Sequence, residues 1–113
     1  RRARAIAALG AVGGPEARDA VLAAARGADE PFAVRATAFH AAASLLSSKA
    51  LAQELTPIMQ REREPALRGV AADVLARHAG ASGCAAVRAQ ATKESAALRG
   101  HFTQALQRCA QEP

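Results

Sequence analysis

The sequence has no tryptophan and no tyrosine, and its only aromatic residues are Phe32, Phe39 and Phe102. Pleated sheets are built largely from β-branched and aromatic residues, so this composition argues against an all-β fold. No apolar run in the sequence approaches the roughly 18 residues that span a bilayer. The missing aromatics also bear on function. A groove that stacks nucleobases would have only phenylalanine to stack them on, which weighs against base-stacking and base-excision roles.

What is abundant is alanine, about three residues in ten, and alanine is the best helix former. Half of the 113 residues are hydrophobic, which excludes a disordered tail, and the length fits one domain. The composition therefore reads as all-α. Lys plus Arg is 15 against 10 for Asp plus Glu, a net charge of +5. The excess is spread along the chain, densest at Arg1, Arg2 and Arg4. It permits a nucleic-acid or acidic partner and fits equally an Arg-rich solvated surface. The sequence opens on Arg1 inside a helical pattern, so it is expected to be a piece of a longer chain. A targeting segment would then lie outside it, and the compartment is not readable from this end.

The chain repeats. Four segments, headed by Arg2, Arg35, Arg68 and Arg99, align at spacings of 33, 33 and 31 residues. Each places small or apolar residues at i, i+3 and i+4, the spacing of one helix face. Ala5, Ala38 and Ala71 share the fourth position. Between them lie second helices, expected over about residues 15–26, 48–61 and 82–93, with inward stripes that include Val21, Leu55 and Val87. Pro15 suits a first helical turn and Gly27 a stop, while Ser47 or Ser48 can cap the second. Gly10, Gly13 and Gly14, and again Gly80 and Gly83, read as helix breakers. Pro57 falls inside the middle helix and is expected to kink or split it. The larger core anchors are Ile6, Leu9, Val12, Val21, Leu22, Phe39, Leu45, Leu55, Ile58, Val74, Leu75, Val87, Phe102 and Leu106.

Helical hairpins of this length cannot bury their apolar faces alone and stack into an α-solenoid. The pattern resembles HEAT repeats, most closely the short HEAT-like repeats of phycobilisome lyases. Arg2 to Gly10 followed by Gly14-Pro15-Glu16-Ala17 carries the resemblance most fully, and the later units match more loosely. It implies one HEAT-like domain of about three and a half units, approximately residues 1–30, 31–64, 65–94 and 95–113. Lyase activity is not implied. The ankyrin alternative lacks both its Thr-Pro-Leu-His-like helix start and its hairpin.

The resemblance also orders the candidate residues. Arg2, Arg35, Arg68 and Arg99 could form a basic stripe; HEAT-like units instead use this Arg for inter-repeat contacts, which favours a structural ladder with Asp29 or Glu30, Glu62 or Glu64, and Glu94. His40, His78 and His101 occupy unequal repeat positions, without the i, i+4 spacing of a metal motif. No nucleophile motif or phosphate-binding glycine loop is present, so neither an enzyme nor a cofactor is expected. Second helices line the concave face in this repeat type, and there Asp19, Arg26, Gln53, Gln60 and Thr92 are candidate binding residues. The expected function is a non-enzymatic protein-interaction scaffold with a protein or peptide partner; the alternative is nucleic-acid or polyanion binding through the Arg-rich surface. In a solenoid, Cys84 and Cys109 fall at the same edge of the stack. They form either a disulfide, which implies a periplasmic or secreted protein, or two buried thiols of a cytoplasmic one.

Overall fold

The computed structural model describes residues 2–111 and is an α-solenoid of two helix layers. The first layer holds α1 (Arg2–Val12), α3 (Phe32–Leu45), α5 (Pro65–His78) and α7 (Thr103–Gln111). The second holds α2 (Pro15–Arg26), α4 (Ser48–Arg61) and α6 (Gly80–Lys93). Each first-layer helix packs on the next, α1 on α3, α3 on α5 and α5 on α7, while α4 packs beside α6. The molecule measures 37 × 30 × 18 Å, and its thickness is that of two stacked helices about 10 Å across.

Helix ends follow the expected chemistry. Pro15 and Pro65 open α2 and α5, where a missing N–H costs nothing. The Ser47 hydroxyl accepts from the Ala50 N–H to cap α4, and the Glu64 carboxylate accepts from Ala66 N at the start of α5. Gly13 and Gly14 make the α1–α2 turn with φ of 81° and 95°, a region that favours residues without a Cβ.

Two of the five glycines expected to break helices, Gly10 and Gly83, do not. Gly10 does not break α1. It lies inside the helix, where a Cβ would sit 2.9 Å from the Ala41 Cβ of α3, so it sets the close approach of the two helices. Gly83 is likewise buried within α6. Pro57 does not split α4, which runs unbroken from Ser48 to Arg61. The carbonyl deprived of its donor belongs to exposed Gln53, where water can satisfy it.

The core is an alanine lattice around a few large side chains. Phe39, Phe102, Leu51, Met59, Leu75, Val21, Val74 and Val87 are among the largest fully buried residues. Val12, expected among the anchors, is instead 81% exposed at the last residue of α1. Leu75 and Leu55 are buried at 0% and 2% exposure. Leu75→Ala or Leu55→Ala is expected to cost about 2–5 kcal/mol in urea melts, as core truncations that leave a cavity do. A cost below about 0.5 kcal/mol would contradict this packing.

The fourth unit departs from the other three. Its Arg-headed segment is a 3-10 turn over Arg99–Phe102, and α7 begins only at Thr103. The turn is admitted because Gly69 on α5 has no side chain: a Cβ there would stand 2.7 Å from the His101 carbonyl oxygen. Cys84 on α6 and Cys109 on α7 are joined in a disulfide, with Cα atoms 5.5 Å apart. Closing a loop across 25 residues of separation is worth about 3 kcal/mol in the loop-entropy model. Reduction is therefore expected to lower stability by about that amount. Two free thiols titrated in denaturant without reductant would show that the bond does not form.

Candidate functional site

The Arg-headed positions decide which charges remain for a partner. Arg2 forms an ion pair with Glu30, with one contact, Nη2 to Oε2, at 2.6 Å. Arg35 pairs with Glu62 and also donates from Nε and Nη2 to the Ala25 carbonyl at 3.2 and 3.0 Å. Its guanidinium lies 5.7 Å from the Phe39 ring centroid, within cation–π range. Arg68 holds Glu94 through two 2.7 Å hydrogen bonds and donates to the carbonyls of Glu62 and Arg63. Each of these three guanidiniums thus reaches the acid that closes its own helical pair. Arg99 does not follow them. Its 3-10 turn aims the guanidinium at the Glu94 backbone carbonyl, 3.1 Å away, and it pairs with no carboxylate among the described residues.

The carboxylates respond to this setting. The Arg68 hydrogen bond holds Glu94 below the usual carboxylate range against the opposing effect of burial, with Gln90 assisting. Burial pushes Glu62 up, but the Glu64 N–H and Arg35 outweigh it and leave Glu62 lowered. Glu94 in turn raises Arg68.

The five second-layer candidates are all exposed, yet they are not one cluster. Arg26 is engaged by Glu54 of α4. The Thr92 hydroxyl donates to the Ala89 carbonyl of its own helix. Gln53 alone lines the groove between α4 and α6, with Lys49, Ala52, Thr56, Pro57, Ser82 and Ala86. Asp19, Gln60 and Thr92 are not among its lining residues. The groove is open and encloses about 420 Å³. Lys49, Thr56 and Ser82 were missed by the sequence reading. The signal was the i, i+4, i+7 series Lys49, Gln53, Thr56 on the face of α4 away from Leu51, Leu55 and Ile58.

A second polar cleft, of about 260 Å³, opens in the first layer between α5 and α7, lined by Asp73, Arg77, Gln104, Gln107, Arg108 and Gln111 with Ala105. Burial raises the Asp73 carboxyl despite Arg77, His40 and Arg108. Asp73 and Gln104 share the sixth repeat position with Ala7 and His40, so this stripe changes character along the array. Among the described residues no group of His, Cys, Asp and Glu is arranged to hold a metal ion. No described helix is long and apolar enough to cross a membrane.

The family model described as HEAT repeats matches residues 1–76. The chain belongs to the HEAT-repeat family. That match covers α1 to α4 and most of α5, which hold the Arg2–Glu30 and Arg35–Glu62 pairs and the Arg68 of the third. No curated protein and no solved structure matches the chain. HEAT repeats are commonly protein-interaction scaffolds, and the family is typically non-enzymatic.

Proposed function

We propose that this HEAT array is a non-enzymatic interaction scaffold whose second-layer face receives a protein or peptide partner. The observation that carries the reading is the open α4–α6 groove, built from two packed helices and lined by small and polar side chains. Such a surface offers apolar contact flanked by hydrogen-bonding groups, the composition of a modest peptide site. Selection of a random twelve-residue peptide library on the immobilised protein tests it. Enriched peptides should perturb backbone amide resonances of α4 and α6 at 50 mM salt. A selection that enriches nothing, or peptides whose perturbations fall only on the first layer, would remove the second-layer scaffold reading.

The polyanion alternative has less support. Arg2, Arg26, Arg35 and Arg68 are bound to carboxylates, and Arg88 and Arg99 donate to backbone carbonyls. Much of the arginine excess is thus already satisfied inside the fold. Backbone binding to nucleic acid would weaken steeply with salt. Gel retardation of DNA or RNA is expected to be absent at about 50 mM salt, where such binding is strongest, and a salt-sensitive shift there would favour the alternative. If the Cys84–Cys109 bond persists in cells, the protein works in an oxidising compartment.

A further inference from the structure

Resting on the scaffold reading, the α4–α6 groove can be given a ligand class. α6 contains no Asp or Glu, and the sole acid of α4 is Glu54. Glu54 is neutralised by Arg26, and the acids that end the two helices, Glu62 and Glu94, by Arg35 and Arg68. Lys49, Arg61 and Lys93 form no ion pair among the described residues. Lys49 is the one charged residue among those lining the groove, which has no lining acid.

The cations are also placed. Lys49 stands at the start of α4 and lines the groove. Lys93 ends α6 and lies eleven residues beyond Ser82, which returns it to the same helix face. Lys93 is not itself a lining residue; it stands on the lining face of α6 about 16 Å of helical rise beyond Ser82, so with α4 packed beside α6 it and Lys49 mark opposite ends of the groove. That distance is spanned by about five residues of extended chain. Between them the lining is small or apolar, Ala52, Pro57 and Ala86, with the Thr56 and Ser82 hydroxyls.

One further atom selects a peptide over a phosphodiester. Pro57 supplies no N–H to the Gln53 carbonyl, and both residues line the groove. Water can satisfy this acceptor in the free protein, and a ligand that displaces the water has to replace its donor. A peptide backbone carries N–H donors, and a DNA backbone carries no donor.

The geometry points to a short, extended acidic peptide segment as the ligand of the α4–α6 groove, with carboxylates five residues apart meeting Lys49 and Lys93 and a backbone N–H donated to the Gln53 carbonyl. The test uses the oxidised protein and the synthetic peptide Gly-Glu-Val-Ala-Ala-Val-Glu-Gly, followed by amide NMR titration at 50 mM salt. Saturable shifts are expected at Lys49, Gln53, Ser82 and Ala86. Lys49→Ala and Lys93→Ala should each weaken binding about tenfold, the loss of one charge-assisted contact. Pro57→Ala restores the helix hydrogen bond and should raise the thermal midpoint while weakening the peptide, a combination that a merely structural proline would not give. The same peptide with Lys for Glu, and an eight-nucleotide thymidine oligomer, should not bind. Absence of saturable shifts, indifference to both Lys substitutions, or equal binding of the oligonucleotide would overturn the assignment. If library-selected peptides still map to the second layer, the scaffold reading survives and only the acidic ligand is lost.

Discussion

Glu94→Ala is expected to cost about 3–5 kcal/mol, as removal of one partner from a buried ion pair does. The Glu94 side chain is 2% exposed and that of Arg68 13%, so bulk water reaches the stranded guanidinium poorly. Gln90, itself buried, loses its acceptor as well. Glu30→Ala is the internal control. Its partner Arg2 is 63% exposed, and a solvated pair is worth about 0–1 kcal/mol. Replacing both partners, Arg68→Met with Glu94→Leu, removes the stranded charge and should recover part of the loss. Recovery is incomplete, because the Glu62 and Arg63 carbonyls also lose the Arg68 donor. Urea melts of the four proteins decide it; equal costs for Glu94→Ala and Glu30→Ala would contradict the difference in burial.

The same pairs set an acid limit. Glu62 and Glu94 have folded-state pKa values below the ordinary one. Such groups contribute stability that is fully present above the unfolded-state value, about 4.3 for glutamate. It is lost as pH falls through the lower folded-state values. Stability is therefore expected to be flat from neutral pH down to about 5 and to fall below that. Glu94→Gln should flatten the decline. A decline of unchanged steepness in that variant would place the acid sensitivity elsewhere.

Much of the fold was legible because the repeat is written in small residues and punctuation. Ala38 and Ala71, at one repeat position, are both fully buried, and Pro15 and Pro65 open their helices. What was not legible depended on contacts between units. Gly10 and Gly83 resemble breakers in one dimension and are packing surfaces in three. The 3-10 turn at Arg99 arises from the empty space over Gly69, 30 positions earlier in the chain. The groove was half legible. Gln53 was found from helix phase, but its lining partners Ser82 and Ala86 come from α6, and only the lateral packing of α4 on α6 brings them together.

Phe102→Ala is expected to cost about 3–5 kcal/mol, the range for a truncated core aromatic. Phe102 is fully buried at the end of the 3-10 turn, in the same core cluster as Ala71, Ala72, Val74 and Ala105. Alanine side chains cannot swing in to fill the space, and the backbone at Gly69 already touches the turn, so the cavity stays open. The cost should be read with the Cys84–Cys109 bond both intact and reduced. With the bond intact, α7 is tied to α6, and the variant should still unfold in one transition at lower urea. With the bond reduced, α7 loses its tether as well as its largest anchor. Circular dichroism should then show an early loss of one helix before the main transition, since an element with few remaining contacts opens locally. A cost below about 1 kcal/mol under oxidising conditions would mean that Phe102 is not an anchor of the core. A single coincident transition in the reduced variant would mean that α5 and α6 hold α7 without either device.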